Sequence, residues 1–230
     1  MLESYFHAME ANTLDLTHLA FIGMSGTGKT FWSKRLADAG RHVVSCDDLI
    51  GRRLAEHLPN GDRVGFNNMA NDLAAWMGWP DSATYAERES QYLAEEIGAL
   101  DQVLTGVEQH PEESLILDTT GSVIYTGNNL LMRMRRDLTV VYFAASRAEE
   151  QLLIERYLND PKPVLWRGAF RAKPGELPQD TVARCYPALL AARRQSYEVL
   201  AHATLAVAEL RAASYDVEKF LAEVRRQVSR

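Results

Sequence analysis

The segment GMSGTGKT (23–30) places three glycines, a lysine and a hydroxyl side chain at the spacing G-x-x-x-x-G-K-[ST]. An apolar run of strand length, HLAFI (18–22), precedes it, and the helical pattern KTFWSKRLADAG (29–40) follows. Such a turn directs backbone N–H groups at one point, and the helix N-terminus adds partial positive charge. These features predict a nucleotide phosphate site rather than an ordinary turn with a solvated lysine. Its residues are Gly23, Met24, Ser25, Gly26, Thr27, Gly28, Lys29 and Thr30.

Phosphate chemistry also needs a metal ion and a group that handles the acceptor. In this turn Lys29 is expected to reach the β- and γ-phosphates, and the Thr30 hydroxyl to bind Mg²⁺. Asp118 directly follows an apolar strand and could supply a second Mg²⁺ contact; the alternative is a helix cap. Asp47 could take or orient the proton of an acceptor hydroxyl, or could simply cap its helix. Its neighbour Asp48 is expected to point elsewhere.

Short apolar runs alternate with helical patterns along the whole chain. This alternation predicts an α/β protein with a parallel sheet covered on both faces and ligands at the carboxyl ends of the strands. Proline 80 ends one helical pattern, Ser82 or Thr84 can cap the long helix that follows, and Ser214 can cap the last helix. We expect one P-loop domain over residues 1–230, with a small helical lobe at about 60–90. The predicted strands are 18–22, 41–46, 113–118, 138–145 and 203–210.

The composition is that of a compact enzyme. The chain has 230 residues, 47% of them hydrophobic, and a formal net charge of −6, which argues against a nucleic-acid surface. No apolar run approaches the roughly 20 residues of a membrane helix, and the acidic N-terminus does not resemble a signal peptide. Cys46 and Cys185 are too few to predict a disulfide framework or a zinc site. A cytoplasmic protein, monomeric or homodimeric, is expected.

A basic, proline-containing segment lies at about 159–185. It holds cations that a closing lid could bring over a γ-phosphate while excluding water. The alternative is a solvated loop, which is the better description for any one of these residues but not for the group. The cations are Lys162, Arg167, Arg171, Lys173 and Arg184.

Five segments in order resemble the shikimate kinase family: GMSGTGKT, VSCDDLIG, DTTGSVI, DPKPVL and LLAARRQSYEVLAHATLAV, within roughly residues 17–228. The resemblance implies a P-loop three-layer fold with a five-stranded parallel sheet, a mobile lid, ATP and Mg²⁺ as cofactors, and a small hydroxylated acceptor. By position, Asp47 matches the aspartate that holds the acceptor hydroxyls. Arg193 matches the arginine that grips the substrate carboxylate. Lys162 stands in place of a lid arginine, and Arg156 lies near an arginine that stacks on adenine.

The chain departs from the family at the acceptor side. The paired aspartates after the second strand are here Ser45 and Asp47, so Asp118 is expected to replace one carboxylate of the metal site. The family's three consecutive glycines are here residues 119–121, of which only Gly121 permits close approach of substrate to the backbone. Ala86 stands where the family has its early arginine, and Arg88, two residues away, lies on a different helix face. Shikimate itself is therefore expected to be a poor acceptor.

Three functions remain open from the sequence. The first is an ATP-dependent kinase of shikimate or another small hydroxylated metabolite, with Lys29, Asp47 and Lys162 as catalytic residues and Asp47, Gly121, Arg193 and Arg88 on the substrate side. The second is a P-loop NTPase that hydrolyses or senses nucleotide with a protein partner. The third is a degenerate P-loop binding module. The presence of Lys29, Thr30, Asp47 and Asp118 counts against the third, and Asp47 with Arg193 favours the first over the second.

Overall fold

Five short strands form one sheet in which every neighbouring pair runs parallel. The computed structural model describes residues 16–57, 69–159 and 162–229. The strand order is β2-β3-β1-β4-β5, so the strand that precedes the phosphate turn lies at the centre. The strands are β1 (His18–Ile22), β2 (Val43–Ser45), β3 (Leu115–Asp118), β4 (Thr139–Ala144) and β5 (Ala203–Ala206).

Helices follow the strands and cover the sheet. In the first half of the described chain they are α1 (Lys29–Asp38), α2 (Cys46–His57), α3 (Met69–Met77) and α4 (Tyr85–Gln109). In the second half they are α5 (Asn128–Asp137), α6 (Arg147–Asn159), α7 (Pro178–Leu200), the short α8 (Val207–Leu210) and α9 (Val217–Val228). A 3₁₀ turn, Val123–Tyr125, lies between β3 and α5. None of the helices described is long and apolar enough to cross a membrane.

Alternate residues of β1 pack into two separate hydrophobic clusters. Ala20 and Ile22 belong to a cluster with the helices on one face of the sheet, which include α2, α4 and α7. Leu19 and Phe21 belong to a cluster on the other face with residues of α1 and α9. Side chains alternate across a strand, so two buried clusters require helices on both faces. The predicted α/β three-layer fold with a five-stranded parallel sheet is therefore confirmed.

Three predicted boundaries were wrong. The predicted fifth strand, 203–210, ends at Ala206, and Val207–Leu210 form the short α8. Local hydrogen bonds explain the other two. The second strand ends at Ser45, and Cys46 already begins α2, because the Ser45 Oγ accepts a hydrogen bond from the Asp48 N–H (3.2 Å) as a helix cap does. The last helix begins at Val217 behind Asp216, whose carboxylate accepts from the Lys219 N–H (2.8 Å). Ser214 is not its cap.

The predicted lid, 159–185, includes helical and buried residues. Asn159 ends α6, and Pro178 begins α7, so residues 178–185 form the first turns of a helix rather than a loop. Proline is favoured at a first helical position, where the missing N–H costs nothing. The stretch 164–166 is buried. Of the predicted helical lobe, residues 69–77 form α3 and residues 85–90 begin α4, and residues 60–68 lie outside the described part of the chain.

Candidate active site

The turn between β1 and α1 has a backbone that only glycine adopts readily. Gly23 has φ 141°, and a Cβ there would lie 2.9 Å from the Phe143 carbonyl oxygen of the neighbouring strand. Gly28, the N-cap of α1, has φ 100° in the left-handed region. These two glycines allow the chain to fold tightly around a point in front of the α1 N-terminus. That geometry suits an anion held by backbone N–H groups.

Lys29 lies at the centre of this turn. Its Nζ donates to the carbonyl oxygens of Gly23 (2.9 Å) and Met24 (3.1 Å). Burial lowers the pKa of this lysine, and the charges of Asp118 and Asp47 oppose that shift. The ammonium therefore donates to neutral carbonyl oxygens, and the two carboxylates attract it without hydrogen-bonding to it. Phosphate oxygens would be far better partners.

A cavity of about 220 Å³ opens in front of the turn. It brings together most of the residues that the sequence singles out, namely the phosphate turn, Asp47, Gly121 and Lys162. Gly23, Met24 and Thr27 are buried beneath it and shape the turn from behind. The full lining is Ser25, Gly26, Gly28, Lys29, Thr30, Phe31, Asp47, Tyr92, Thr119, Thr120, Gly121, Lys162 and Pro163.

Asp47, from the first turn of α2, lines the same cavity as the phosphate turn. The Tyr92 hydroxyl of α4 donates to its Oδ1 (3.3 Å). Burial, together with the nearby charge of Asp118, raises the pKa of Asp47 to about 6, against the opposing effects of Lys29 and Tyr92. Ser45 caps α2, so Asp47 does not serve as the cap. Asp48 is exposed and does not line the cavity.

Asp118 and Thr30 form a pair of oxygen donors beside the phosphate turn; Thr30 lines the cavity, and Asp118 is buried next to it without being part of the lining. Asp118 ends β3, the strand beside β1, and is buried. Burial raises its pKa, while the Lys29 charge and a hydrogen bond with the Thr30 side chain oppose that shift. A carboxylate that is costly to bury without a full counter-charge, adjacent to a hydroxyl, fits a hard cation such as Mg²⁺. These two residues are therefore suited to hold the metal.

Gly121 is held from behind by Arg193 and Tyr197 of α7. The Arg193 Nη1 donates to the Gly121 carbonyl oxygen (3.0 Å) and its Nη2 to that of Leu165 (2.7 Å). The Tyr197 hydroxyl also donates to Gly121 O (2.5 Å). Arg193 is buried and does not line the cavity. In this structure its guanidinium ties the turn after β3 to the predicted lid.

Besides Arg193, Asp118 and the buried residues of the phosphate turn, two further predicted site residues are absent from the cavity lining. Arg88 donates to the carbonyl oxygen of Trp76 in α3, and its guanidinium lies 5.9 Å from the centre of the Trp76 ring. It therefore braces α3 against α4 instead of replacing the missing arginine at position 86. Arg156 is exposed on α6 and is likewise absent from the cavity lining.

The base of the predicted lid is anchored by α4. The Tyr85 hydroxyl donates to the Val164 carbonyl oxygen (2.6 Å) and accepts from the Trp166 N–H (3.1 Å). Glu89 accepts from the Arg167 N–H (2.8 Å). Lys162 lines the cavity, and its Nζ donates to Asn71 Oδ1 of α3. The anchored part thus fixes the backbone beside Lys162. Beyond Arg167 the exposed residues contact Glu176 and the start of α7, where Arg184 donates to the Arg171 carbonyl oxygen (2.6 Å) and Glu176 accepts from the Lys173 N–H (3.0 Å).

Sequence reasoning missed a buried acid, Glu96, behind the same cavity. Its two carboxylate oxygens accept from the hydroxyls of Thr120 and Ser122 in the turn after β3, the latter at 2.7 Å. Burial raises the pKa of Glu96 to about 7, opposed by those two hydroxyls and by Arg193, and reinforced by Asp47. A signal was present, since Tyr85, Glu89, Tyr92 and Glu96 are spaced as one helix face, and all are buried.

Glu96 gives the first testable expectation. Its pKa is about 7 in the folded protein against 4.5 for the ordinary side chain. The folded state therefore holds a proton that the unfolded state releases, and the free energy of unfolding falls as pH rises from about 4.5 to 7. The Glu96 contribution is on the order of 3 kcal/mol. In urea unfolding of the free protein, Glu96→Gln is expected to match the wild type near pH 5 and to exceed it at pH 8.

A matched control separates burial from charge number. Glu87 lies on an exposed face of the same helix, so Glu87→Gln removes one carboxylate without changing the buried Glu96. Its stability difference from wild type is expected to be flat between pH 5 and 8. Equal pH dependence of the wild type and Glu96→Gln would show that Glu96 is not held protonated.

Comparisons with known proteins identify the fold. No model of a protein family matches the chain, and no curated protein matches it. Among solved structures, it is similar to a shikimate kinase from Acinetobacter baumannii in complex with shikimate, with a TM-score of 0.54 and 19% identity, over 97% of this chain and 96% of that one. It is also similar to a shikimate kinase from Bacteroides thetaiotaomicron, with a TM-score of 0.50 and 17% identity, over 92% and 94% of the two chains. The chain therefore has a shikimate-kinase-like fold.

Proposed function

We propose that this protein is an ATP-dependent kinase that transfers the γ-phosphoryl group of ATP to a hydroxyl of a small molecule. The observation that carries the proposal is that the phosphate turn, Lys29 and Asp47 line one cavity together. A nucleotide-binding module needs the turn alone. A carboxylate with a raised pKa in the same cavity is what an acceptor hydroxyl needs.

The nucleotide side of the site consists of the turn and two lysines. The backbone N–H groups of the turn and the α1 N-terminus hold the phosphate oxygens. Lys29 leaves the carbonyls of Gly23 and Met24 to bind the phosphates, and Lys162 adds a second cation from the other wall. Thr30 and Asp118 would hold Mg²⁺, which would supply further positive charge to the phosphates.

Asp47 serves the acceptor. Tyr92 fixes the orientation of its carboxylate through the hydrogen bond to Oδ1. The acceptor oxygen forms a bond to the γ-phosphorus, the bond from that phosphorus to the bridging oxygen of ADP breaks, and Asp47 takes the hydroxyl proton late in the transfer. A pKa of about 6 suits this role, because the group is ionised near neutral pH and is still a useful base.

The remaining acceptor-side residues shape the wall beside Asp47. Gly121 offers its backbone to the acceptor, and Arg193 serves this subsite by holding the Gly121 carbonyl in place. A direct grip by Arg193 on an acceptor carboxylate would require both of its carbonyl contacts to open. The stacking of Arg156 on the nucleotide base stays a prediction.

The test is acceptor-dependent formation of ADP. Purified protein with Mg·ATP is assayed in a coupled ADP assay against polyols, hydroxy acids and aromatic alcohols, and the phosphorylated product is identified by mass spectrometry. ADP formation that rises with one acceptor class and yields a phosphate monoester supports the kinase. ADP formed at one rate with and without every acceptor, and unchanged in Asp47→Asn, would instead indicate an NTPase.

A lid over the nucleotide gives a second expectation. The exposed residues 171–175 lie beyond the anchored base, and their few buried contacts make local opening cheap. We expect trypsin to cut first at Arg171–Ala172. The bonds after Lys162 and Lys173 precede prolines, Arg167 lies in the anchored base, and Arg184 lies within α7. A non-hydrolysable ATP analogue with Mg²⁺ is expected to slow that cut several-fold, as followed by mass spectrometry. Arg171→Gln should lose this fragment, and an unchanged cutting rate with nucleotide would contradict the lid.

A further inference from the structure

A second cavity of about 290 Å³ lies beside the phosphate cavity. Lys162 and Pro163 line both, so these two residues are the wall between them. The second cavity, named here the side chamber, is otherwise formed by α3, the residues that follow it, and one residue of α6. Its lining is Asn71, Ala74, Ala75, Met77, Gly78, Trp79, Tyr157, Lys162 and Pro163.

We infer that the side chamber receives the body of the acceptor, and that the acceptor is an alcohol with an uncharged, largely apolar ring rather than a small carboxylic acid. This inference rests on the proposed kinase function. It adds the chemical class of the acceptor, which neither the fold nor the phosphate turn specifies.

The chemistry of the lining carries the first step. Two alanines and a glycine leave room for a ligand, while a methionine, a tryptophan and a tyrosine supply apolar surface. Among the described residues of the lining there is no carboxylate and no arginine, and Lys162 is the cation that it shares with the phosphate cavity. Such a lining stabilises a buried apolar ring, and it offers a carboxylate no bidentate partner.

The second step is that Tyr157, one of the two rings of the aromatic wall, is fixed by its neighbours. The rings of Trp79 and Tyr157 lie 6.0 Å apart with an interplanar angle of 60°. Tyr157 in turn packs on Tyr186 at 4.8 Å, and its hydroxyl accepts from the Trp166 Nε1–H (3.2 Å). Because neighbours already fix Tyr157, little conformational entropy is lost when a flat ligand packs against this wall.

The position of Lys162 carries the third step. Its Nζ donates to Asn71 Oδ1 on the chamber side while its side chain also lines the phosphate cavity. A γ-phosphate would draw the ammonium across and leave the Asn71 amide as a polar group for the ligand. A ring in the side chamber with a short arm past Lys162 would place its hydroxyl in the cavity that Asp47 lines. Neither position on α4 considered for a carboxylate-binding arginine supplies one here. Residue 86 is an alanine, and Arg88 donates to the Trp76 carbonyl oxygen.

The experiment uses 2-phenylethanol as the probe, titrated calorimetrically into the full chain that is saturated with Mg²⁺ and a non-hydrolysable ATP analogue. Ala74→Leu fills the side chamber, and Trp79→Ala removes its aromatic wall. Each is expected to weaken probe binding at least about tenfold. Ala37→Leu adds the same bulk on an exposed face of α1 and should leave binding unchanged. Shikimate and glycerol are not expected to compete with the probe.

The outcomes separate this inference from the kinase proposal. No probe binding to the wild type, or equal binding by wild type, Ala74→Leu and Trp79→Ala, overturns the inference, even if a polyol or shikimate is phosphorylated. Weaker binding of the ATP analogue in Ala74→Leu would make the side chamber a base pocket and also overturn it. Probe binding that depends on the chamber supports the ligand class, and if no alcohol is then phosphorylated, it is the kinase proposal that fails.

Discussion

Asp47→Asn is expected to lower kinase turnover by roughly 10²–10⁴, the usual contribution of a positioned base. Asparagine keeps the shape of the side chain and can still pair with the Tyr92 hydroxyl, so the wall of the cavity should survive. What is lost is the negative charge and the site for the acceptor proton. Affinity for Mg·ATP is expected to stay within a few-fold, because the phosphate turn and Lys29 hold the nucleotide.

The neighbouring acid is the matched control. Asp48 has the same charge on the next residue of the same helix turn, but it is exposed and away from the cavity. Asp48→Asn should be nearly silent in the coupled ADP assay. The wild-type rate should also fall as pH drops through the Asp47 pKa of about 6, since the carboxylate must be ionised to act, and Asp47→Asn should lack that fall. An essential Asp48 with a dispensable Asp47 would contradict the assignment.

The fold was predictable because its signals are local. Each strand is a short apolar run, and the glycine turn at 23–28 marks one strand end and one helix start. Two of the errors came where one side chain decides a boundary. Ser45 caps α2 and so ends β2 early, and Pro178 starts a helix inside the predicted lid. The sequence alone does not show whether a serine or a proline starts a helix at its position, because this depends on the partners it meets in the fold.

The site was less predictable because its remaining parts are tertiary. Asp47 and Lys29 follow different strands of a parallel sheet, whose carboxyl ends meet at one edge, so their proximity could be expected. Arg88 could not be placed, because its partner is the main-chain carbonyl of Trp76 rather than a side chain with a visible pattern. Glu96 was missed because a glutamate in an amphipathic helix usually faces solvent, whereas here the hydroxyls of Thr120 and Ser122 satisfy it.

The second large effect is expected at Lys29. Lys29→Met removes the cation that bridges the phosphates and keeps most of the aliphatic stem. Each charged hydrogen bond that is lost is worth about 1.5–3 kcal/mol, so Mg·ATP binding should weaken roughly tenfold to over a hundredfold. Turnover should fall further, because the negative charge of the transition state also needs this cation. Calorimetry with a non-hydrolysable analogue measures the first effect, and the coupled assay measures the second.

The stability of free Lys29→Met should rise or stay unchanged. This distinguishes a lost binding group from a damaged turn, which would lower the stability. Burial lowers the pKa of Lys29, so the free protein bears a cost for keeping this ammonium charged. Lys29→Met removes that cost while leaving the carbonyls of Gly23 and Met24 without their donor. We expect the urea midpoint of the free variant to lie at or above that of Lys34→Ala, which removes an exposed lysine from the same helix. Undiminished Mg·ATP binding by Lys29→Met would refute the phosphate site.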